Sequence, residues 1–205
     1  MDSRAMTDQS PLNLGVLVSG NGSNLQAILD AISDGTLDAQ VKLVISNRPG
    51  AQALERARAA GVRALTISHT GFANREAFDQ ALVDALREAE VNWVALAGFM
   101  RVLTPQFLAA YPGRIINIHP SLLPAFPGMD AAKQAFVYGV KLTGCTVHFV
   151  DHGVDSGRII AQRAVPVEAS DDLASLAARI HGAEHGLFVE VLREIAAGRV
   201  VPFEA

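Results

Sequence analysis

The sequence predicts an α/β fold: a mostly parallel central sheet with helices on both faces, in three layers. Three observations carry it. Apolar runs of strand length alternate with stretches of helical spacing along nearly the whole chain. The run at 92–97 is apolar enough for a strand buried on both faces. The first apolar run, Leu12–Val18, passes through a glycine turn straight into helical spacing, a unit typical of parallel sheets.

Composition sets limits on this frame. The 205 residues are 50% hydrophobic, enough for one domain with a substantial core. We expect residues 1–11 to be a disordered lead-in and 12–205 to be a single domain. A net charge of −4 argues against a nucleic-acid partner, whose binding surface would be basic. No apolar run is long enough to span a membrane, and the one cysteine, Cys145, has no internal partner for a disulfide. These features predict a cytoplasmic protein; small-molecule substrates and a monomer or weak homodimer are separate expectations, not read from composition.

The elements follow in order. After Leu12–Val18 comes Ser19-Gly20-Asn21-Gly22-Ser23-Asn24, and residues 25–32 are helical. A helix start presents free N–H groups and positive dipole to a phosphate. The dinucleotide fingerprint G-x-G-x-x-G fails here, because Leu25 stands where its third glycine belongs. The strand at 41–45 ends in Ser46-Asn47-Arg48, with no acid for a ribose diol; Arg48 could face a 2′-phosphate, which leaves a nicotinamide cofactor as a weak alternative. A single phosphate on Gly22, Ser23 and Asn24 fits better; the alternative is a plain turn capped by Ser23 or Asn24. Residues 51–60 form a helix stopped at Gly61, and 64–67 a third strand. Asn74 caps the helix Arg75–Glu88, whose Phe78, Leu82 and Leu86 make a core stripe. Arg75 in its first turn opposes the helix dipole and is a candidate for an anionic ligand. The strand at 92–97 breaks at Gly98, and Thr104-Pro105 starts a short helix.

The stretch from Asn117 to Gly128 is the densest in chemistry. A strand at 114–118 is stopped by Pro120, which has no N–H to give a ladder. Asn117 and His119, two apart, point to one side at a strand's carboxyl end, where open α/β sheets bind ligands. Strands at 144–150 and 158–167 flank the loop Asp151-His152-Gly153-Val154-Asp155-Ser156-Gly157. His148, in mid-strand, reads as a hydrogen-bonded core residue, and Cys145 as buried and inert. Asp171-Asp172 opens the last helix, Leu173–Ala196. Within it His181-Gly182-Ala183-Glu184-His185 matches a zinc-protease pattern, H-x-x-E-H. A catalytic zinc takes three protein ligands, and only Glu190, Glu194 and Glu204 remain as third candidates. We therefore expect no metal.

Three motifs together, Ser-Gly-Asn-Gly-Ser-Asn, Ala-Gly-Phe-Met-Arg-Val-Leu and Asn-Ile-His-Pro-Ser-Leu-Leu-Pro, resemble the folate-dependent formyltransferases. The resemblance runs from about Leu14 to Val200 and is strongest to the branch that formylates phosphoribosylglycinamide in purine synthesis. It implies that family's Rossmann-like fold, and transfer of the formyl group of 10-formyltetrahydrofolate, as co-substrate, to the amine of 5-phosphoribosylglycinamide. It implies Asn117, His119 and Asp155 as the catalytic set. It places Gly22, Ser23, Asn24, His181 and Glu184 at the phosphoribosyl substrate. It places Arg75, Met100, Arg101, Val102, Leu103, Asn117 and the loop Asp151, His152, Gly153, Val154 and Asp155 at the folate. Asp130, Arg158 and His181 stand where relatives often carry histidine, proline and glutamine.

The side chains fit that chemistry. Formyl transfer passes through a tetrahedral adduct whose oxygen becomes negative and whose leaving nitrogen gains a proton. A carboxamide donates to such an oxygen, an imidazolium supplies the proton, and a carboxylate stabilises the imidazolium. Two other classes compete. A relative that hydrolyses formyltetrahydrofolate, or one that formylates transfer RNA, would be expected to carry an additional domain before Leu12 or after Ala205. A non-catalytic phosphate-binding module would have no need of Asn117, His119 and Asp155 together.

Overall fold

The computed structural model describes residues 11–203, so nearly all of the expected disordered lead-in lies outside the described residues. Seven strands form one sheet: β1 (Leu12–Val18), β2 (Ala39–Ser46), β3 (Ala64–Thr66), β4 (Trp93–Leu96), β5 (Ile115–His119), β6 (Leu142–Phe149) and β7 (Ile159–Pro166). Their order is β3-β2-β1-β4-β5-β6-β7. β1 to β5 are parallel; β6 runs antiparallel to β5, and β7 antiparallel to β6. From β1 the chain builds outward to β3, then returns to β4 on β1's other side, so the switch point lies between β1 and β4.

Six helices, α1 (Ser23–Ser33), α2 (Gln52–Ala59), α3 (Arg75–Glu88), α4 (Pro105–Ala110), α5 (Ala131–Tyr138) and α6 (Leu173–Ala196), cover the two faces. Strand alternation decides which residue meets which layer. Leu14, Val16, Ala95, Ile116 and Val147 pack with α1, α2 and α6 residues such as Ile28, Leu54 and Phe188. Leu17, Ile45, Val94, Leu96 and Ile115 pack with Phe78, Leu82 and Phe107 of α3 and α4. Burying a side chain such as Phe78 or Phe188 stabilises the fold by roughly 1.5–3 kcal/mol relative to leaving it in water.

The helix starts have visible causes. Asn74 accepts from the Ala77 N–H at 2.8 Å. Thr104 accepts from Phe107, with Pro105 at the first helical position, where its missing N–H costs nothing. Asp172 and Ser175 cap α6 reciprocally, 2.7 and 3.0 Å apart. Strand ends differ from the sequence reading by a residue or two. β5, for example, extends to His119 because Thr146 of the antiparallel partner pairs with it. α5 had no counterpart in the sequence reading: it starts after Asp130, in the left-handed region at φ 57°, with no side-chain cap. At the sheet's α6 face, Trp93 lies 6.4 Å from Phe149 and Phe149 5.8 Å from Phe203, with the Arg158 guanidinium 4.9 Å over Phe203.

Candidate active site

β5 places its odd residues on the face away from α6, so Asn117 and His119 point to one side above the buried Ile115. The antiparallel register sets His148 opposite Asn117 and Thr146 opposite His119 on that face. The 150–158 loop folds back over it and brings Asp155 in, 36 residues beyond His119 in sequence. Its carboxylate bridges the set: Oδ2 lies 3.3 Å from His119 Nδ1 and accepts from the Gly128 N–H at 2.7 Å. Oδ1 accepts from Asn117 Nδ2 at 3.4 Å and stands 3.7 Å from His148 Nε2.

The partners decide the tautomers. His119 Nε2 is 2.9 Å from the Phe126 carbonyl, which only accepts, so Nε2 carries a hydrogen and Nδ1 is left to exchange a proton beside Asp155. His148 Nδ1 likewise donates to the Phe149 carbonyl at 2.7 Å, which leaves Nε2 facing Asn117 Nδ2 at 3.2 Å and the Asp155 carboxylate at 3.7 Å. The reading of His148 as a hydrogen-bonded core residue was incomplete: it is buried, and it also abuts both Asn117 and Asp155. Burial pushes the Asp155 carboxyl up. The imidazole of His148, the Gly128 N–H and the charge of His119 outweigh that and hold it below its ordinary value.

A cleft of about 600 Å³ runs past this set along the strand ends. One end reaches the turn before α1. Gly22 is that helix's N-cap, left-handed at φ 77°, with no side-chain cap, so the plain capped turn is not what the chain forms. The Ser23 and Asn24 N–H groups belong to the helix's first turn, where no intrahelical carbonyl can take them, and Gly22, Ser23 and Asn24 all line the cleft. A Cβ on Gly22 would lie 2.5 Å from that of Ala53, so only glycine lets the turn sit this close to α2. Nearby, the buried Glu184 accepts from Asn24 Nδ2 at 3.3 Å. Burial pushes its carboxyl up to about 7 against that bond. His181 lines the same end.

The other end is more apolar. Met100, Val102 and Val154 are about half exposed at its mouth, with Leu103 buried behind them. Arg101, Asp151 and Gly153 also line it. Asp151 organises the loop by accepting from the Gly153 N–H at 3.0 Å and the Ser156 hydroxyl at 2.8 Å. Two expected folate residues fall outside the cleft wall. His152 is exposed on the loop's outer side, and Arg75 donates to the Val102 carbonyl at 2.8 Å, bracing the wall from behind. Cys145 is buried under the sheet, its thiol pushed up to about 12 by burial with the Glu184 charge adding to it, and is no nucleophile at neutral pH. Among the described residues no three His, Cys, Asp or Glu side chains stand together as a metal site.

An open α/β sheet that brings carboxamide, imidazole and carboxylate to its strand ends, beside a helix start, defines a Rossmann-like enzyme. Its family is shown by comparison: the formyl transferase profile matches residues 12–192, and the chain belongs to that family. It is 45% identical over 180 residues to the phosphoribosylglycinamide formyltransferase of Bacillus subtilis (strain 168), covering 88% of this chain and 92% of that one. It is 51% identical over 195 residues to the trifunctional purine biosynthetic protein adenosine-3 of Drosophila melanogaster, covering 94% of this chain but only 14% of that protein. Among solved structures, glycinamide ribonucleotide transformylase 1 from Symbiobacterium toebii superposes with a TM-score of 0.92 at 50% identity, covering 95% of this chain and 92% of that one.

Proposed function

We propose that residues 12–205 act as one unit that transfers the formyl group of 10-formyltetrahydrofolate to the amine of 5-phosphoribosylglycinamide, giving the N-formyl product and tetrahydrofolate in purine biosynthesis. The observation that carries this reading is the meeting of Asn117, His119 and Asp155 in one cleft that also opens on the first turn of α1. On this reading the acceptor's phosphate sits on Gly22, Ser23 and Asn24, and its ribose meets Glu184 and His181. The folate lies along Met100, Arg101, Val102 and Leu103 under the 151–155 loop. The protein works in the cytoplasm on small molecules, without a metal, as a monomer or weak homodimer.

The amine attacks the formyl carbon, and its oxygen gains charge as the adduct forms. Asn117 Nδ2 donates to that oxygen. Asn117 Nδ2 lies 3.2 Å from His148 Nε2 and donates to Asp155 at 3.4 Å, and that long bond is the one to release. His119, as imidazolium, delivers its Nδ1 proton to the departing folate nitrogen, while the Asp155 carboxylate stabilises that imidazolium and orders the water that carries the amine's proton back to Nδ1. No covalent enzyme intermediate is needed.

The test is an assay with both substrates and a control lacking the acceptor. Production of tetrahydrofolate that depends on phosphoribosylglycinamide is the expected result. Equal release of formate without acceptor would replace this reading with hydrolysis.

A further inference from the structure

Phe126 has φ 53°, in the left-handed region that a bulky side chain enters only at a cost in free energy, so its surroundings must hold it there. Its neighbours in the loop are tied down by bonds of their own. The Ser121 hydroxyl donates to the Ala125 carbonyl at 2.5 Å, and the Gly128 N–H donates to Asp155. Phe126 itself gives its carbonyl to His119 Nε2, and its ring meets the Tyr138 ring edge to face, 5.8 Å between centroids at 64°. Tyr138 ends α5, a helix seated through the buried Ala131 and Ala135 and packed on α6. Although 79% exposed, its ring stands on a fixed post.

The residue so held presents the carbonyl that takes the His119 Nε2 hydrogen at 2.9 Å. If Phe126 relaxed out of the left-handed region, that carbonyl would swing away. The neutral imidazole would then settle with its hydrogen on Nδ1, bound to Asp155, and lose the arrangement in which Nδ1 exchanges the proton. We propose that Phe126 and Tyr138 are positioning residues for His119, an aromatic clasp that keeps the Phe126 carbonyl on Nε2 and so selects the working tautomer.

The rate arm of the test rests on the formyl-transfer reading; the spectroscopic arm does not. In Tyr138→Ala, kcat for formyl transfer should fall about three- to tenfold, the reach of one edge-to-face pair, with KM for both substrates essentially unchanged. Tyr138→Phe keeps the ring and should keep the wild-type rate. Nitrogen NMR of the labelled histidines at alkaline pH should show His119 protonated at Nε2 in the wild type and in Tyr138→Phe, and a tautomer mixture in Tyr138→Ala. Wild-type kcat with an unchanged His119 signal in Tyr138→Ala would overturn the clasp, as would an equal loss in Tyr138→Phe. A wild-type protein with no formyl transfer at all would sink the functional reading, while the NMR comparison would still decide the clasp.

Discussion

At Asp155 two opposed effects meet, and the hydrogen bonds win: a largely buried carboxylate is kept ionised by the groups around it. Asp155→Asn keeps the size and removes the charge that stabilises the His119 imidazolium. Turnover should fall by roughly 10²–10⁴ with much smaller changes in KM, as steady-state kinetics would show. Near-normal turnover would remove the role assigned to this carboxylate. Glu184 behaves in the opposite sense. Its folded pKa, raised to about 7, lies above the unfolded value, so the folded state holds the proton longer as pH rises and stability falls across that interval. Glu184→Gln cannot titrate. Urea unfolding should therefore show the variant gaining about 2 kcal/mol on the wild type between about pH 5 and about pH 8. Asn117 and His119 were legible as a pair because their spacing and the stop at Pro120 are local facts. The nearness of His148 was not, since it follows from an antiparallel register that no short stretch encodes.

Among the elements, those announced by side-chain chemistry were readable: Asn74 before α3, Thr104-Pro105 at α4 and Asp172 before α6. α5 was not. Its N-cap, Asp130, makes no capping bond, and its eight residues bury little beyond Ala131 and Ala135, too short a stripe to show a period. The turn before α1 makes a prediction of its own. Gly22→Ala brings a Cβ to 2.5 Å from that of Ala53, in a backbone conformation that disfavours any side chain. We expect a loss of about 2–4 kcal/mol in denaturant unfolding. Ala53→Gly opens space beneath the turn, so the pair should show a coupling of at least about 1 kcal/mol in a double-mutant cycle. Strict additivity would mean that the two backbones do not press on each other.

For the whole molecule, the decisive feature is the reversal after β5. Five parallel strands build an ordinary cleft at the switch point; the antiparallel β6 and β7 then lay a loop back over the sheet and deliver Asp155. The sequence carried the alternation of strands and helices but not this reversal, because strand direction depends on how distant segments pair. The helix α6 carries His181 and His185 one turn apart, the pair that invites a metal reading. His185 Nε2 is buried without a hydrogen-bond partner, and burial together with the charge of His181 holds the ring below its ordinary pKa. Formyl transfer should survive prolonged dialysis against EDTA. Loss of activity restored by zinc would instead assign those histidines a metal.

The stack of Trp93 on Phe149 and Phe203 has an optical consequence. Trp93 is the chain's one tryptophan, and it sits 8% exposed on the α6 face of the sheet, opposite the face that carries Asn117 and His119. Its emission is therefore a native gauge of global unfolding that needs no label. Because Trp93 opens β4 at the amino ends of the strands, and the cleft proposed for the substrates lies at their carboxyl ends, saturating ligand should leave the colour of that emission unchanged while moving the temperature at which it shifts to the red.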